Sequence, residues 1–303
     1  MRTFRAMNTD VAVITSSDES RIAAAVERVF ADAERRFSRF RADSELSQLN
    51  RADEPIAVSQ PMFDALVRAR DYVAMTGGMF DPGIGGTLAA LGYDRSFAPG
   101  ALDRDRDAEA PAAARFGDIV LDPVRREVRR PAGLQIDLGG MIKGHTVDEA
   151  AALLPQIGAI DAGGDAVMRG PHDWLVEIED PRDAARILAF VRVRDRAVAT
   201  SAATRRHWRV ARAMRHHIVD PRTQRSAVTD LLQATVFAPT AELADVLAKT
   251  AFLLGARAGR ELIERRSDIG AVLVPHAGFP IVCGDLARSR DFELASFAKE
   301  MVP

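Results

Sequence analysis

The 303-residue chain lacks several features that define protein classes. It has a single cysteine, Cys283, so no disulfide can form within the chain, and its apolar neighbours predict a buried strand residue. No uninterrupted apolar run approaches the ~18 residues of a membrane helix. The N-terminus has no apolar core of signal-peptide length. We therefore expect a soluble, cytoplasmic protein that does not insert into a membrane.

Further absences narrow the function. A formal net charge of −2 gives no reason to expect the basic surface of a nucleic-acid-binding protein. The motifs Gly-x-Ser-x-Gly, His-Glu-x-x-His and Cys-x-x-Cys do not occur, so serine hydrolase, zinc protease and thiol-redox functions have little support. What is present is a hydrophobic fraction of 47% in a chain long enough to bury a substantial core.

Hydrophobic periodicity predicts a mixture of helices and strands. Helices are predicted at residues 17–36, 61–75, 143–154, 241–254 and 258–265. Strands are predicted at residues 10–15, 119–121, 127–129, 134–138, 159–161, 174–178, 188–193, 197–200, 217–219, 231–237, 271–274 and 279–283. The glycine-dense residues 81–92 predict a loop, and residues 95–114 predict an exposed insertion. Because the elements mix without regular βαβ alternation, the pattern favours an α+β fold.

Residues 137–144, Asp-Leu-Gly-Gly-Met-Ile-Lys-Gly, predict a strand that runs through a glycine turn into a helix. Glycine lets a ligand approach the backbone, and a helix N-terminus offers N–H donors to phosphate oxygens. Lys143 would add a point charge. The alternative is a tight turn with a solvated lysine, since no established phosphate-loop motif is present. Two more glycine pairs stand beside an aspartate, at residues 76–82 and 163–165, and favour a polar ligand.

Three further side chains are candidates for chemistry. His217, on a predicted strand, could deprotonate a hydroxyl or be structural, and we expect its neighbour His216 to be exposed because adjacent strand residues face opposite ways. Asp245, near the start of a predicted helix, could bind Mg²⁺ or merely favour the helix dipole. Lys249 lies on the same helix face, where a solvated ion pair with Asp245 is the alternative to a role in the site.

Several short stretches form an ordered series along the chain: Met7-Asn8-Thr9, residues 37–50, residues 77–82, residues 137–144 with Asp148, residues 162–165, residues 199–201, residues 217–223 and residues 244–248. Together and in this order they resemble the ApbE family, the FAD:protein FMN transferases. The resemblance implies a single T-fold-like α+β domain over residues 1–303, built of two intimately packed, interleaved subdomains with FAD in the cleft.

The resemblance also implies a reaction and its residues. FMN would pass from FAD to a threonine or serine hydroxyl of an acceptor flavoprotein of electron transport, with release of AMP. His217 and Asp245 would be catalytic. Mg²⁺ would be bound by the Gly140 carbonyl, by Asp245 and by the hydroxyl of Thr250. Contacts to FAD would come from Met7, Phe40, Phe80, Asp81, Asp137, Lys143, Thr200 and Ser201.

The series departs from the family pattern at four positions. Asn8, Ala202 and Gln224 replace glycines, and each could alter a turn, Gln224 less seriously because its side chain can point into solvent. Lys249 replaces a threonine one turn after Asp245, where an ammonium would repel Mg²⁺ or replace part of its charge. These departures leave two alternatives open: an FAD-binding or flavin-scavenging protein, and an FAD pyrophosphatase that does not transfer FMN efficiently.

Overall fold

The computed structural model describes residues 1–16, 19–97, 115–210 and 213–295. The insertion expected at residues 95–114 therefore lies outside the described residues, apart from its first three positions. The chain divides into two compact units made of separate segments. The first unit comprises Met1–Val29, Lys143–Thr204 and Thr229–Pro303, and the second comprises Phe30–Ile142 and Arg205–Val228.

The described residues form helices and strands in a mixed order, as an α+β fold requires. The α-helices are α1 (Glu19–Phe37), α2 (Glu45–Arg51), α3 (Gln60–Met75), α4 (Gly85–Ala90), α5 (Ile142–Ala151) and α6 (Ala241–Glu264). The strands are β1 (Arg2–Ala6), β2 (Thr9–Thr15), β3 (Ile56–Ala57), β4 (Val120–Asp122), β5 (Glu127–Arg129), β6 (Gly158–Ala162), β7 (Ala166–Arg169), β8 (Trp174–Asp180), β9 (Asp183–Val193), β10 (Arg196–Ala202), β11 (His207–Val210), β12 (Ala213–His216), β13 (Val219–Asp220), β14 (Arg225–Ser226), β15 (Leu231–Ala238), β16 (Gly270–Pro275), β17 (Ile281–Gly284) and β18 (Phe292–Leu294).

The first unit is layered around an eight-stranded antiparallel sheet in the order β1-β2-β6-β7-β10-β15-β16-β17. A three-stranded sheet, β18-β9-β8, packs through an apolar core that includes Val191, Val198 and Phe237. Helix α6 packs against β10, β15 and β16. It bends at Gly255, whose φ of 81° is left-handed, and this explains the break predicted between residues 254 and 258.

The second unit contains α2, α3 and α4 together with short antiparallel sheets, β3-β5-β4, β11-β12 and β13-β14. Ser44 and Ser59 begin α2 and α3 by accepting hydrogen bonds from N–H groups in the first turn of each helix. The apolar periodicity of the sequence did not predict α2. The loop predicted at residues 81–92 is wrong in part, because α4 lies within it. The glycine-rich composition of this segment predicts a loop rather than this short helix. The helix ends where the Leu91 N–H donates to the Thr87 carbonyl.

The strand predicted at residues 134–138 is wrong. An isolated parallel bridge joins Gln135 to Ile84 there, without a strand. Asn50 replaces the missing strand partner, because its side chain donates to the Ile136 carbonyl and accepts from the Ile136 N–H, each at 2.8 Å. Both backbone groups of a fully buried residue are thereby satisfied by one amide. This interaction fixes the segment that leads into Asp137.

No helix within the described ranges is long and apolar enough to cross a membrane. The cytoplasmic location expected from the sequence stays a prediction.

We expect Asn50→Ala to lower the free energy of unfolding by about 2–3 kcal/mol, because it leaves the Ile136 N–H and carbonyl buried without partners. Urea denaturation measures the change. Gln48→Ala, at an exposed position of the same helix, is the matched control and should cost less than about 0.5 kcal/mol. Equal losses for the two variants would contradict this account of the segment.

Cys283 should be unreactive in the native protein. It is fully buried on β17, and burial, with the Glu264 carboxylate adding to it, raises the pKa of the thiol to about 12. At about pH 8 the thiol therefore stays protonated, and thiolate is the reactive form. Ellman's reagent should detect the thiol only after denaturation in guanidinium. Rapid labelling of the native protein would show that β17 opens or that the thiol is accessible.

Candidate functional site

The segment that begins at Asp137 is a tight turn leading into α5. Oδ1 of Asp137 accepts a hydrogen bond from the Gly139 N–H at 2.6 Å. A Cβ on Gly139 would lie 2.8 Å from this oxygen, so the close approach favours glycine. The N–H groups of Met141 and Ile142 donate to the Leu138 carbonyl and begin the helix. The positive end of the α5 dipole therefore lies at this turn, which suits a bound anion.

Lys143 lies in the first turn of α5, and its ammonium binds acceptors within the first unit. Nζ lies 2.5 Å from Oδ2 of Asp165 and donates to the Ala162 carbonyl at 2.9 Å. The Lys143 side chain is 17% exposed and that of Asp165 only 2%, so the pair is largely buried. The alternative of a solvated lysine is therefore wrong. The ion pair also joins two stretches that are separate candidates in the sequence, residues 137–144 and residues 163–165.

The Gly163-Gly164 turn that carries Asp165 also lies against Thr9. A Cβ on Gly163 would lie 1.9 Å from Oγ1 of Thr9, and its φ of 64° is left-handed, so glycine is required. Thr9 begins β2, which pairs with β6. The Met7-Asn8-Thr9 turn, the Gly163 turn and Lys143 thus meet in the first unit, although their stretches are far apart in the sequence.

Two departures from the ApbE-like motifs fall where the backbone is left-handed. Asn8 has a φ of 59° and Gln224 a φ of 55°. Asparagine adopts this region more readily than glutamine does. The Gln224 amide donates to the Pro221 carbonyl at 2.9 Å, and its oxygen contacts the Thr87 hydroxyl. The Gln224 side chain therefore bonds within the protein and does not simply point into solvent.

Thr200 and Ser201 are adjacent on β10 and so face opposite sides of the sheet. Val198 belongs to the core beneath the three-stranded sheet, so Thr200 shares that side, where its hydroxyl lies 3.0 Å from that of Thr235. Ser201 is buried and faces the side of α6. Both residues lie near the end of β10, which spans Arg196–Ala202.

Asp245 is 7% exposed near the start of α6. Lys249 follows one turn later on the same face and is half-buried. Thr250 lies about 140° around the helix axis from Asp245. Its hydroxyl is fully buried and donates to the Val246 carbonyl at 2.7 Å. The wide separation around the helix does not favour one ion between Thr250 and Asp245, but the hydroxyl oxygen keeps its lone pairs, and Thr250 as a metal ligand stays a prediction.

Within residues 1–16, 19–97, 115–210 and 213–295, no cluster of three or more His, Cys, Asp or Glu side chains could hold a metal ion. Mg²⁺, however, commonly takes only one or two protein carboxylates, with phosphate oxygens and water as its other ligands. The buried carboxylate of Asp245 fits that use. Gly140, whose carbonyl the resemblance implies as a second ligand, is buried in the turn before α5.

The second unit contains an aromatic cluster that the sequence analysis found only in part. The Tyr93 ring centre lies 5.4 Å from that of Phe40 and 5.4 Å from that of Trp208. The Arg39 guanidinium lies 4.1 Å from the Phe40 ring centre and 4.6 Å from the Tyr93 ring centre. Arg39 also forms an ion pair with Asp137.

This cluster presents one aromatic side chain to solvent. Phe40 is 38% exposed, whereas Tyr93 and Trp208 are buried, and burial raises the pKa of the Tyr93 hydroxyl so that it stays protonated. Because Arg39 joins Phe40 to Asp137, two of the predicted site residues share one cation. No periodicity links these positions in the sequence, so only the fold could identify Arg39, Tyr93 and Trp208.

Phe80 and Asp81 make local contacts in the second unit. Phe80 is 3% exposed and packs edge-on against Tyr72, with ring centres 6.0 Å apart. Oδ1 of Asp81 accepts hydrogen bonds from the N–H groups of Gly83 at 2.7 Å and Phe116 at 3.2 Å. Burial raises the pKa of Asp81, although these hydrogen bonds oppose the shift. Both residues thus order the loop before α4.

His217 lies between β12 and β13, so the strand predicted at residues 217–219 is wrong for its first two positions. Its Nδ1 and its backbone N–H each lie 3.3 Å from the Arg206 carbonyl. His216 is half-buried with Nε2 3.0 Å from the Ala227 carbonyl, and burial lowers the pKa of its imidazole. The expectation that His216 is exposed is wrong because the chain bends at His217, which breaks the strand alternation.

Comparison with known protein families identifies a match along most of the chain. A family model described as the ApbE family matches residues 7–273. An FAD:protein FMN transferase from Treponema pallidum (strain Nichols) is 30% identical over 295 residues, covering 87% of this chain and 80% of the relative. Another FAD:protein FMN transferase, from Klebsiella pneumoniae (strain 342), is 27% identical and covers 77% of this chain and 76% of the relative.

Solved structures share the fold. The ApbE protein from Thermotoga maritima superposes with a TM-score of 0.83 at 23% identity, over 95% of this chain and 97% of that protein. The flavin transferase ApbE from Vibrio cholerae gives a TM-score of 0.77 at 20% identity, over 95% of this chain and 97% of that protein. The predicted α+β fold class is confirmed.

The buried pair of Lys143 and Asp165 should be strongly coupled. Lys143→Met leaves a buried carboxylate without its cation, and we expect it to lower the free energy of unfolding by about 3 kcal/mol. Adding Asp165→Asn should cost much less than the two single losses combined, because both changes remove the same pair. Urea denaturation of the double-mutant cycle measures this coupling.

Arg194→Met is the matched control for Lys143→Met. Arg194 pairs with Asp173 at 2.7 Å, but both side chains are more than half exposed, and the loss should stay below about 1 kcal/mol. Additive losses for Lys143 and Asp165 would contradict a direct ion pair between them.

Proposed function

This chain belongs to the ApbE family, and we propose on that premise that it is an FAD:protein FMN transferase. The observation that carries the proposal is the family match over residues 7–273, within which the Met7 turn, Lys143 and the Asp165 turn meet. The substrate would be FAD, and the partner an acceptor flavoprotein of electron transport.

In the proposed reaction, a threonine or serine hydroxyl of the acceptor attacks the phosphorus on the riboflavin side of FAD. A phosphoester bond forms to the acceptor oxygen, the phosphoanhydride bond breaks, and AMP leaves. The hydroxyl proton would pass to His217, since a neutral imidazole is a competent base. Such transfers depend on positioning and charge neutralisation more than on covalent help.

The pyrophosphate would be held at the turn before α5. The positive end of the α5 dipole favours an anion there. Lys143 has three ammonium donors, and two of them serve Asp165 and Ala162, so a third can reach a phosphate oxygen. Because its position is fixed by a buried partner, its charge is preorganised for the transition state.

The flavin ring would stack on Phe40, the exposed member of the aromatic cluster. Arg39 and Tyr93 hold the Phe40 ring from the protein side, and Asp137 holds Arg39. Contacts to FAD from the other residues that the resemblance implies remain part of this proposal; they are Met7, Phe80, Asp81, Asp137, Thr200 and Ser201.

We further propose Mg²⁺ as the metal, with Asp245 and the Gly140 carbonyl as protein ligands. When bound, it would neutralise charge on the pyrophosphate. Asp245 supplies the buried carboxylate. The Thr250 hydroxyl donates its proton to the Val246 carbonyl, and its oxygen would be a third ligand through a lone pair. Lys249 on the face of Asp245 can supply part of the same positive charge.

Lys249 also motivates a second candidate function. An ammonium one turn from Asp245 would weaken metal binding by repulsion, and the protein would then bind FAD without transferring FMN. A pyrophosphatase that hydrolyses FAD to FMN and AMP, with water in place of the acceptor hydroxyl, is the remaining alternative. Lys249→Thr should increase transfer if this repulsion limits the enzyme.

The test is to incubate the purified chain with FAD, Mg²⁺ and a purified acceptor of a named ApbE relative. We expect flavin fluorescence on the acceptor that survives SDS gel electrophoresis, with one AMP released per flavin attached. His217→Ala should reduce the rate about 100-fold or more, because it removes the proposed base. His207→Ala, at an exposed histidine nearby in the chain, is the control and should retain the wild-type rate.

The other outcomes separate the candidates. Release of AMP and FMN without labelled acceptor would identify a pyrophosphatase. Tight FAD binding that EDTA does not affect, with neither product, would identify a binding protein. Either result would overturn the transferase proposal.

A further inference from the structure

Helix α5 is attached to the start of α6 by contacts that the proposed chemistry does not use. Oδ1 of Asp148 accepts a hydrogen bond from the Ala241 N–H at 2.8 Å, and Oδ2 accepts one from the Glu242 N–H at 2.9 Å. A helix leaves its first N–H groups without acceptors of its own. One carboxylate from a neighbouring helix therefore completes the N-terminus of α6.

The two helices also approach very closely here. A Cβ on Gly144 would lie 2.4 Å from the Ala241 carbonyl oxygen and 2.7 Å from the Glu242 nitrogen, so this approach depends on glycine. The Glu242 side chain, 5% exposed, returns toward α5 and lies 2.8 Å from Nδ1 of His145. Contacts thus run in both directions between the same two helical turns.

These contacts connect two candidate site residues. Lys143 lies in the first turn of α5, next to Gly144, and Asp245 lies in α6 one turn after Ala241. Asp148 is the residue that fixes the backbone of the turn preceding Asp245. Burial raises the pKa of its carboxyl, although the two N–H donors oppose the shift, which is the pattern of a carboxylate placed inside the protein for its hydrogen bonds.

We propose that Asp148 is a positioning residue that holds Asp245 in register with Lys143 for the transfer step. The inference rests on the proposed function. Misplacing a charged group by about 1 Å can cost about 100-fold in rate, because orientation and preorganised charge supply much of the acceleration. Asp148 touches neither substrate nor reacting atoms in this role and acts through the α6 backbone.

Asp148→Asn tests the proposal, since it keeps the side-chain shape but replaces one acceptor oxygen with an NH₂ that cannot accept. Asp230→Ala is the matched control. Oδ1 of Asp230 accepts from the Ala256 N–H at 2.8 Å, directly after the bend at Gly255, so it caps the later part of the same helix. Both variants lose a helix-capping hydrogen bond, but only the first loses it beside Asp245.

We expect Asp148→Asn to reduce kcat for FMN transfer about tenfold or more while KM for FAD changes less than about twofold. Hydrogen exchange should accelerate at least about tenfold at whichever of the Ala241 and Glu242 amides loses its acceptor oxygen. Asp230→Ala should accelerate exchange at Ala256 and leave both kinetic constants unchanged. If Asp148→Asn does not fold, Gly144→Ala forces the same helices apart and should give the same kinetic split.

Three results would overturn the inference. Wild-type kcat in Asp148→Asn, despite faster exchange at Ala241 or Glu242, would show that the contact does not position the site. An equal loss of kcat in Asp230→Ala would indicate a general effect of helix stability. Unchanged exchange at both Ala241 and Glu242 in an active Asp148→Asn enzyme would show that Asp148 does not fix this turn. A wild-type chain that transfers no FMN would instead refute the proposed function, and the catalytic part of this inference with it.

Discussion

The ammonium of Lys143 lies between the Asp165 carboxylate and the Ala162 carbonyl, where little water can reach it. Removing such a pair from water is costly, so the interaction persists only because the fold supplies both acceptors at hydrogen-bonding distance. It attaches the first turn of α5 to the glycine turn between β6 and β7. Thr9 packs against Gly163 in the same glycine turn. The proposed phosphate-binding elements of the first unit therefore depend on one buried charge.

The second unit also contains an ion pair between an aspartate and a cation, formed by Asp137 and Arg39. Asp137 receives the Gly139 N–H on one oxygen and the Arg39 cation on the other, and Arg39 lies over the Phe40 and Tyr93 rings. An aromatic surface and a glycine turn are thereby fixed to one carboxylate. In both units a partly buried aspartate–cation pair orders a glycine-rich turn, which suits a reaction that depends on placing charge rather than on a covalent intermediate.

Features with local causes were predictable. The spacing of apolar residues predicted α1, α3, α5 and α6, and the break near Gly255 followed from its glycine. The strand at residues 134–138 was predicted wrongly because Asn50, far away in the sequence, takes the place of a strand partner. His216 was misplaced because strand alternation was extended through His217, where the chain bends.

By itself the sequence determined the ordered motifs, the fold class and the residue types at each turn, since these depend on neighbours along the chain. The tertiary structure decided which charges meet: Lys143 with Asp165, Arg39 with Asp137, and Asp148 with the amides that begin α6. It also decided that the Thr250 hydroxyl donates to the Val246 carbonyl of the same helix. Such partners lie on different elements, and no sequence period encodes their distance, so only the packing of those elements selects them.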